Sequence, residues 1–179
     1  MGNQLCNNSF NGVPEPLLTV ELLPSTSWFT NLRSLLPEGE WYANAVSLLA
    51  PGRWLVLFTN ADTLVSVVRR DRPGATTLPI FERRFPLLLR RLGLPKPWVQ
   101  ARADAFGEVH VGRRGAQTAS RRVLGTMTNL AYQIRAEAEA AGSFERLDLD
   151  RVEDCLTEVP LSVLGYGHPA RAVAELAGA

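Results

Sequence analysis

A run of five apolar residues, Trp54 to Phe58, constrains the fold of this chain more than any other feature. Successive side chains of a β-strand point to opposite faces of the sheet, so a strand with this composition is apolar on both faces. Turn sequences bound it, with Ala50-Pro51-Gly52 before it and Asn60-Ala61-Asp62 after it. The pattern therefore predicts a central strand that is covered on both sides.

The neighbouring segments complete a β-meander. Residues 41–49 and 63–68 are strand-like, and the two short turns join them to the strand at 54–59. Connections this short favour antiparallel neighbours. Two further strands are predicted at 17–23 and 108–112. The sequence thus predicts an α+β fold, in which an antiparallel β-meander sheet packs against several α-helices.

The longest predicted helix runs from about 118 to 140, where apolar residues recur at helical spacing. Its buried stripe consists of Val123, Met127, Leu130 and Ile134. Gly125 lies inside this helix, where glycine lowers helix stability by about 1 kcal/mol relative to alanine. We expect close packing of the backbone against the sheet or another helix to compensate for this loss.

Shorter helices are predicted on both sides of the long one. The first has an apolar stripe that Pro86 interrupts, which predicts a kink or a helix that begins at the proline. The members of this stripe are Phe81, Phe85, Leu88 and Leu92. The spacing of Trp28, Leu32 and Leu35 predicts a short helix nearer the N-terminus. The last two helices are predicted at 150–157 and 169–176.

The length of 179 residues fits one domain, which we place at 17–179. Residues 1–16 are rich in Asn, Ser, Gly and Pro, and they predict a flexible N-terminal arm. The two cysteines, Cys6 and Cys155, provide no disulfide framework, which is typical of the reducing cytoplasm. Because every apolar stretch is interrupted well short of a membrane span, we expect a cytoplasmic protein without one.

Charge is distributed unevenly along the chain, although the net charge is only +1. Residues 53–122 carry fourteen Lys and Arg and five acidic residues, which gives a net charge of +9. Residues 123–179 carry four Arg and nine acidic residues, and residues 1–52 carry one Arg and four Glu. A basic segment of this kind indicates an anionic partner such as nucleic acid. The alternative is that the basic middle and the acidic ends pair with each other on the folded surface.

The most basic motif, residues 112–122, joins a predicted strand to the start of the longest helix. A helix N-terminus presents free N–H groups and the positive end of the helix dipole, so it favours anions. Arginines add charge and paired donors for phosphate or carboxylate groups. The predicted anion or nucleic-acid site consists of Arg113, Arg114, Thr118, Ser120, Arg121 and Arg122. The alternative is a capped helix start that faces solvent.

A second candidate polar site consists of Asn44, Asn60, Thr63 and His110. Asn60 lies in a turn between strands, where asparagine belongs for backbone reasons alone. Asn44 interrupts an apolar strand, so its side chain faces solvent or makes a buried hydrogen bond that fixes the strand register.

Motifs for common chemistry are missing from the sequence. The chain has no phosphate-binding loop, dinucleotide-binding fingerprint, nucleophile elbow or zinc-protease helix. Its two histidines, His110 and His168, are far apart, and two cysteines do not form a structural zinc site. We therefore predict no cofactor, no metal and no catalytic residue, and a protein that is not an enzyme is favoured.

Four segments carry a family resemblance. They are Trp41-Tyr42-Ala43-Asn44 and residues 57–63, 118–127 and 159–169. In order and spacing they resemble domain-of-unknown-function family 6933, a bacterial and phage family, and the resemblance covers the chain from about Leu17 to its end. The family's helix start usually reads Asn-Arg-Ser-Val-Leu-Gly-Ser-Met-Asn, and this chain departs from it at Ser120, Arg122 and Thr128. The resemblance implies a fold and a bacterial or phage setting, and it implies no activity.

Three functions fit an accessory protein of this kind. The first is a non-catalytic binding module for nucleic acid or another polyanion, with the basic middle segment as its contact surface. The second is a metal-independent nuclease or toxin-like enzyme, in which Arg113 and Arg121 stabilise developing charge and His110 acts as acid or base. The third is a protein-interaction or immunity factor that uses the acidic C-terminal helices or the N-terminal arm. The binding functions are favoured because no catalytic constellation is recognisable.

Overall fold

Five strands form one sheet in the part of the chain that the structure describes. This computed structural model describes residues 30–33, 40–48, 52–70, 77–104, 110–113 and 121–178. The strands are β1 (Thr30–Arg33), β2 (Glu40–Ser47), β3 (Trp54–Asn60), β4 (Ser66–Arg70) and β5 (His110–Arg113). Their spatial order is β4-β3-β2-β1-β5, and every neighbouring pair is antiparallel. The predicted meander of β2, β3 and β4 is confirmed.

Helices pack on both faces of this sheet, which confirms the α+β class. They are α1 (Thr77–Arg91), α2 (Lys96–Asp104), α3 (Arg121–Ala141), α4 (Leu149–Thr157) and α5 (Pro169–Ala177). A 3₁₀ turn, Ser162–Leu164, lies between α4 and α5. Helix α3 is the predicted long helix, although its first predicted residues, 118–120, lie outside the described part. Helix α1 continues through Pro86, so the alternative of a helix that begins at the proline is wrong.

Strand β3 contributes to two hydrophobic cores, as its apolar run predicts. Leu55 and Leu57 pack in one core, and Val56 and Phe58 pack in the other. None of the four side chains is more than 4% exposed. Burial of a side chain of this size stabilises folding by about 1.5–3 kcal/mol. The prediction of a strand that is covered on both sides is therefore confirmed, and β3 links the two halves of the core.

The first core lies between the sheet and helices α3 and α4. Helix α3 buries the predicted stripe from Val123 to Ile134, and α4 adds Val152 and Leu156. Helix α4 also reaches the edge of the sheet, because the Glu153 Oε1 atom accepts a 2.9 Å hydrogen bond from the Val68 N–H. Among the described strands, β4 is the last one on that side. A side chain of α4 therefore satisfies a backbone donor on the free edge of β4.

The second core is built around aromatic rings. The ring of Trp41 lies edge-on to Phe81 and Phe85 of α1, with both centroid distances at 4.9 Å. Phe58 stacks on Phe81 at 4.7 Å. Helices α2 and α5 complete this core. Aromatic pairs with these geometries add about 0.5–1.5 kcal/mol each beyond the burial of their area.

The segment around Leu32 is a strand, so the helix predicted through Trp28, Leu32 and Leu35 is wrong. All four residues of β1 pair both with β2 and with β5. Three apolar residues at helical spacing are a weak signal for a helix. Pairing with strands on both sides gives hydrogen bonds to backbone groups that a very short helix leaves without partners. Outside the described residues lie Trp28, Leu35, the strand predicted at 17–23 and the arm predicted at 1–16.

Gly125 is exposed, so the expected close packing of its backbone is wrong. A Cβ atom built at this position would meet no atom of the other described elements within 4 Å. Gly125 follows the buried Val123 by two residues, which places it about 200° further around the helix. It therefore faces away from the first core.

Candidate functional site

The predicted anion site lies where β5 leads to α3. Strand β5 ends at Arg113, which pairs with Thr30 of β1, and α3 begins at Arg121. Of the predicted residues, Arg114, Thr118 and Ser120 lie outside the described part of the chain, and Arg113 is described as a strand position. The side chains that can be placed are those of Arg121 and Arg122.

The two arginines at the start of α3 differ in their contacts. Both residues are exposed. Arg122 Nη2 donates a 2.6 Å hydrogen bond to the backbone carbonyl of Val163. Arg121 has neither a hydrogen-bond acceptor nor a carboxylate partner among the described residues. Within this part of the chain, no hydrogen bond or ion pair occupies its guanidinium group.

The segment that Arg122 contacts is a closed turn of residues 161–167. The Leu161 N–H donates to the Gly167 carbonyl at 3.0 Å, and the Tyr166 N–H donates to the Leu161 carbonyl at 2.9 Å. The Tyr166 side chain is 75% exposed. The 161–167 turn therefore holds an exposed aromatic ring near the start of α3.

Asn60 and Thr63, from the second predicted polar set, stabilise the turn between β3 and β4. Asn60 Oδ1 accepts hydrogen bonds from the Asp62 N–H at 3.0 Å, the Thr63 N–H at 2.8 Å and the Thr63 hydroxyl at 2.9 Å. Both Asn60 and Thr63 are buried. The amide of Asn60 is thus occupied by its own turn, as the backbone interpretation of this residue implies.

The other two members of that set lie on different strands. Asn44 is half-buried in β2, opposite Leu57 of β3. His110 begins β5, where it pairs with Arg33 of β1, and Arg33 in turn pairs with Glu40 of β2. The structure therefore does not bring the four residues together, but it places His110 in a row with an arginine and a glutamate.

The basic middle of the chain pairs in part with its acidic end. Arg53 Nη2 lies 2.7 Å from Glu145 Oε1. Arg84 and Arg91 of α1 form ion pairs with acidic residues of α4. Arg70 donates to backbone carbonyls of the connection between α3 and α4. The alternative that the two segments pair with each other is confirmed for Arg53, Arg84 and Arg91.

A buried carboxylate, Glu153, is the centre of these ion pairs. It is 0% exposed, and it accepts hydrogen bonds from Arg84 Nε at 3.0 Å and Arg91 Nη2 at 2.6 Å. Arg84 Nη2 also contacts Asp150 at 2.7 Å, and Arg91 Nε contacts Asp154 at 2.9 Å. We call these five side chains the Glu153 network. It joins α1 to α4 across the edge of β4.

The network changes the acidity of its two arginines. Burial by itself lowers the pKa of Arg84 and of Arg91. The hydrogen bonds and charges of Glu153 and Asp150 together outweigh burial at Arg84, and those of Glu153 and Asp154 do so at Arg91. The pKa of each guanidinium is therefore raised above its ordinary value. Both arginines are cationic and neutralised, so they are not available to a polyanion.

The Glu153 network is not among the sites predicted from the sequence, although one signal points to it. Val152 and Leu156 are inward positions of the predicted helix, and Glu153 follows Val152 and precedes Leu156 by three residues. A carboxylate on the buried side of a helix requires a cation, because an unpaired buried charge is strongly unfavourable. The spacing predicts this requirement, but it does not indicate which arginines fulfil it.

Four cations of the basic segment have exposed side chains and no partner among the described residues: Arg83, Arg90, Lys96 and Arg121. Arg83 and Arg90 are seven residues apart on α1 and lie on one helix face, with Leu87 between them at 50% exposure. Lys96 begins α2. We call Arg83, Arg90 and Lys96 the α1–α2 surface. It is formed by other helices than the site at the start of α3.

A cavity of about 200 Å³ lies at the end of α3. Leu48 and Phe144 form part of its wall, and Arg53 and Arg135 also line it. Arg53 already pairs with Glu145, and Arg135 Nε donates to the Ser47 carbonyl. The cavity contains none of the predicted site residues, and both of its arginines have partners.

Two other classes of site, a metal centre and a membrane-spanning helix, are absent from the described ranges. No group of three or more His, Cys, Asp or Glu residues among them could hold a metal ion. None of the helices given above is both long and apolar enough to cross a membrane.

Comparison with known proteins gives one match. A family model described as Domain of unknown function (DUF6933) matches residues 21–172, which is most of the chain. No curated protein and no solved structure matches it.

Proposed function

The chain belongs to the family described as Domain of unknown function (DUF6933), and because that description assigns no activity, we propose a function from the charges of the chain itself. We propose that it is a non-catalytic binding module for nucleic acid or another polyanion, in an accessory protein of a bacterium or phage. The observation that supports this proposal is that the basic segment retains exposed cations after its ion pairs with the acidic end are formed.

The cations of the basic segment fall into two groups. Acidic residues after α3 and in α4 neutralise Arg53, Arg84 and Arg91. The second group consists of the α1–α2 surface and Arg121, which have no acidic partner among the described residues. Cations of this second group can replace counterions on a phosphate backbone, and the release of those counterions drives binding. The second group therefore supports a polyanion as partner.

We place the anion site at the start of α3. Arg121 is exposed and has no partner in the described structure, and Arg122 is exposed beside it. Arg122 uses one nitrogen on the Val163 carbonyl, but a guanidinium has five N–H donors, so others remain for a phosphate. The other members that we propose for this site are Arg113, Arg114, Thr118 and Ser120.

Fluorescence anisotropy with a labelled single-stranded oligonucleotide tests the proposal. We expect binding that weakens between about 50 mM and about 200 mM salt, with a slope of roughly −0.7 for each phosphate contact. Arg121→Ala should lower the magnitude of this slope by about 0.7. Arg171→Ala is the matched control, because Arg171 is exposed but already pairs with Glu175 at 2.9 Å. Arg171→Ala changes the net charge by the same amount as Arg121→Ala, but the cation that it removes is already paired.

Each outcome of this titration has a defined meaning. No binding of the wild type at about 50 mM salt contradicts the proposed function. Equal losses with Arg121→Ala and Arg171→Ala contradict the location at α3, because net charge alone then explains binding. If only the double variant Arg83→Ala/Arg90→Ala loses affinity, and Arg121→Ala does not, the binding site lies on the α1–α2 surface.

A second candidate is a metal-independent enzyme that acts on phosphate esters, and strand register favours it. His110, Arg33 and Glu40 occupy paired positions on three adjacent strands, β5, β1 and β2. Because neighbouring strands lie about 4.8 Å apart, the backbones at positions 110 and 40 are about 10 Å apart. In RNA cleavage a base takes the proton of the 2′-hydroxyl, whose oxygen attacks phosphorus, while an acid protonates the leaving 5′ oxygen. A histidine and a glutamate can supply these two roles.

Cleavage of a fluorogenic RNA in the presence of a metal chelator tests the second candidate. If His110 and Glu40 act as acid and base, His110→Ala and Glu40→Gln each lower the rate by about 10²–10⁴-fold. His168→Ala is the matched control, because this histidine lies at the start of α5. Wild-type protein that does not cleave, or a His110→Ala variant that cleaves at the wild-type rate, contradicts the enzyme.

A further inference from the structure

Tyr166 combines an unfavourable backbone with an exposed ring. Its φ is 64°, in the left-handed region that favours glycine, and its side chain is 75% exposed. Leu64 is the other described residue besides glycine with positive φ, and it is 0% exposed. Burial of the Leu64 side chain offsets its backbone conformation. Tyr166 gains little burial in return, so folding alone does not explain a tyrosine at this position.

The 161–167 turn holds the backbone of Tyr166 in place. The N–H groups of residues 161, 166 and 167 all donate within the turn, at distances of 2.9–3.0 Å. At Gly167 a Cβ atom would lie only 2.9 Å from the Leu164 carbonyl oxygen, so the backbone there is closely packed. A ring on a support of this kind is already positioned, and less conformational entropy is lost when it binds a ligand.

Charge next to the turn that carries the ring indicates the class of ligand. Arg122 donates to the Val163 carbonyl of the same turn at 2.6 Å, so its guanidinium lies next to the turn that carries Tyr166. Arg121 precedes it and has no partner in the described part. Proteins that bind single-stranded nucleic acid use this pair of features, because cations follow the phosphates while bases stack on aromatic rings. A duplex does not fit, since its bases are already stacked on each other.

We propose that Tyr166 is a stacking platform for a base of single-stranded nucleic acid, whose flanking phosphates contact Arg121 and Arg122. This inference rests on the proposed polyanion-binding function, and it specifies the ligand. The ring supplies one stacking contact, and the arginines supply charge that does not depend on base sequence. A partner protein that uses the same ring is an alternative that the test below distinguishes.

Two labelled probes with the same backbone separate the ring from the charges: an oligothymidylate and an abasic strand of equal length. Loss of one stacked base weakens binding by about 5- to 150-fold. We expect a loss in this range for Tyr166→Ala with the oligothymidylate and no change with the abasic strand. Tyr166→Phe keeps the ring and should bind like the wild type. Tyr132→Ala is the matched control, because Tyr132 is 50% exposed on α3 and Arg135 lies over its ring.

A glycine variant separates binding from folding. Because glycine adopts positive φ without a Cβ penalty, Tyr166→Gly should not lower the Tm, yet it should bind the oligothymidylate as weakly as Tyr166→Ala. A Tm that falls well below the wild-type value shows a structural role for the ring and overturns the inference.

The remaining outcomes distinguish the inference from the proposed function. If the wild type binds both probes and Tyr166→Ala binds them with the same affinity, the proposed stacking role of Tyr166 is wrong. The proposed polyanion-binding function is then still supported. If the wild type binds neither probe, both fail, and a protein partner for Tyr166 becomes the explanation. Equal affinity for a duplex and for the single strand also overturns the stacking role.

Discussion

Replacement of Glu153 by glutamine should destabilise the fold by about 3 kcal/mol, because removal of one partner from a buried ion pair typically costs about 3–5 kcal/mol. Glutamine keeps the volume of the side chain and can still accept from the Val68 N–H. It removes the charge that faces Arg84 and Arg91 and places an amide next to two guanidinium groups. The substitution should therefore remove the electrostatic attraction between residue 153 and the two arginines without creating a cavity.

The structure places the expected value at the lower end of the range. The side chains of Arg84 and Arg91 are 21% and 25% exposed, so water partly solvates them when Glu153 loses its charge. Asp150 and Asp154 also remain as partners at 2.7 Å and 2.9 Å. Because the folded-state pKa of both arginines is raised, their contribution is complete at neutral pH and is lost only at strongly alkaline pH.

Urea unfolding at neutral pH, followed by circular dichroism, measures the effect. With a slope of about 2 kcal/mol/M, a loss of about 3 kcal/mol lowers the midpoint by about 1.5 M. Asp154→Asn is the matched control, because the Asp154 side chain is half-exposed and its one ion-pair partner among the described residues is Arg91; it should cost at most about 1 kcal/mol. If Glu153→Gln and Asp154→Asn shift the midpoint equally at an unchanged slope, the account of Glu153 as the central group is refuted.

Three further stability changes follow from the structure, and each can be measured by the same urea titration. Gly125→Ala should stabilise the protein by about 1 kcal/mol, since its Cβ enters open space on a helix; the same change at Gly142, with φ of 70°, should destabilise it and serves as the control. Asn60→Ala removes three hydrogen bonds from a buried turn and should cost about 2–3 kcal/mol, whereas a cost below about 0.5 kcal/mol would show that the turn forms without them. Leu57→Ala should cost about 2–5 kcal/mol because the side chain is 0% exposed, and a half-exposed leucine, Leu87, provides the comparison.

Much of the fold can be predicted from local patterns. The apolar run of β3 identifies a strand buried on both faces, and the stripe from Val123 to Ile134 identifies α3. In both cases the apolar positions of the sequence are the positions that the core buries. Strand β1 is different, because its structure depends on two partner strands and not on its own composition. The exposure of Gly125 also differs from the predicted close packing, although helical geometry alone places this residue away from Val123.

The candidate site is less predictable, because adjacent residues with the same chemistry have different environments. Arg83 and Arg84 are neighbours on α1, and a rotation of about 100° separates a cation without a described partner from one paired with Glu153. The same holds for Arg90 and Arg91. The hydrogen bonds of Glu153 span 69 residues to Arg84 and 62 to Arg91, and no local pattern specifies such distant partners. The net charge of a segment therefore overestimates the number of cations that remain for a ligand after folding.

The hydrogen bond between Glu153 and the Val68 N–H also bears on the exposure of a sheet edge to other molecules. An unpaired strand at the end of a sheet can recruit the same strand of another molecule, which is a common route to aggregates. In the native state a carboxylate of α4 occupies one of the places that an incoming strand would need. Partial unfolding that detaches α4 would remove this hydrogen bond and expose the outer edge of β4 to pairing with another strand.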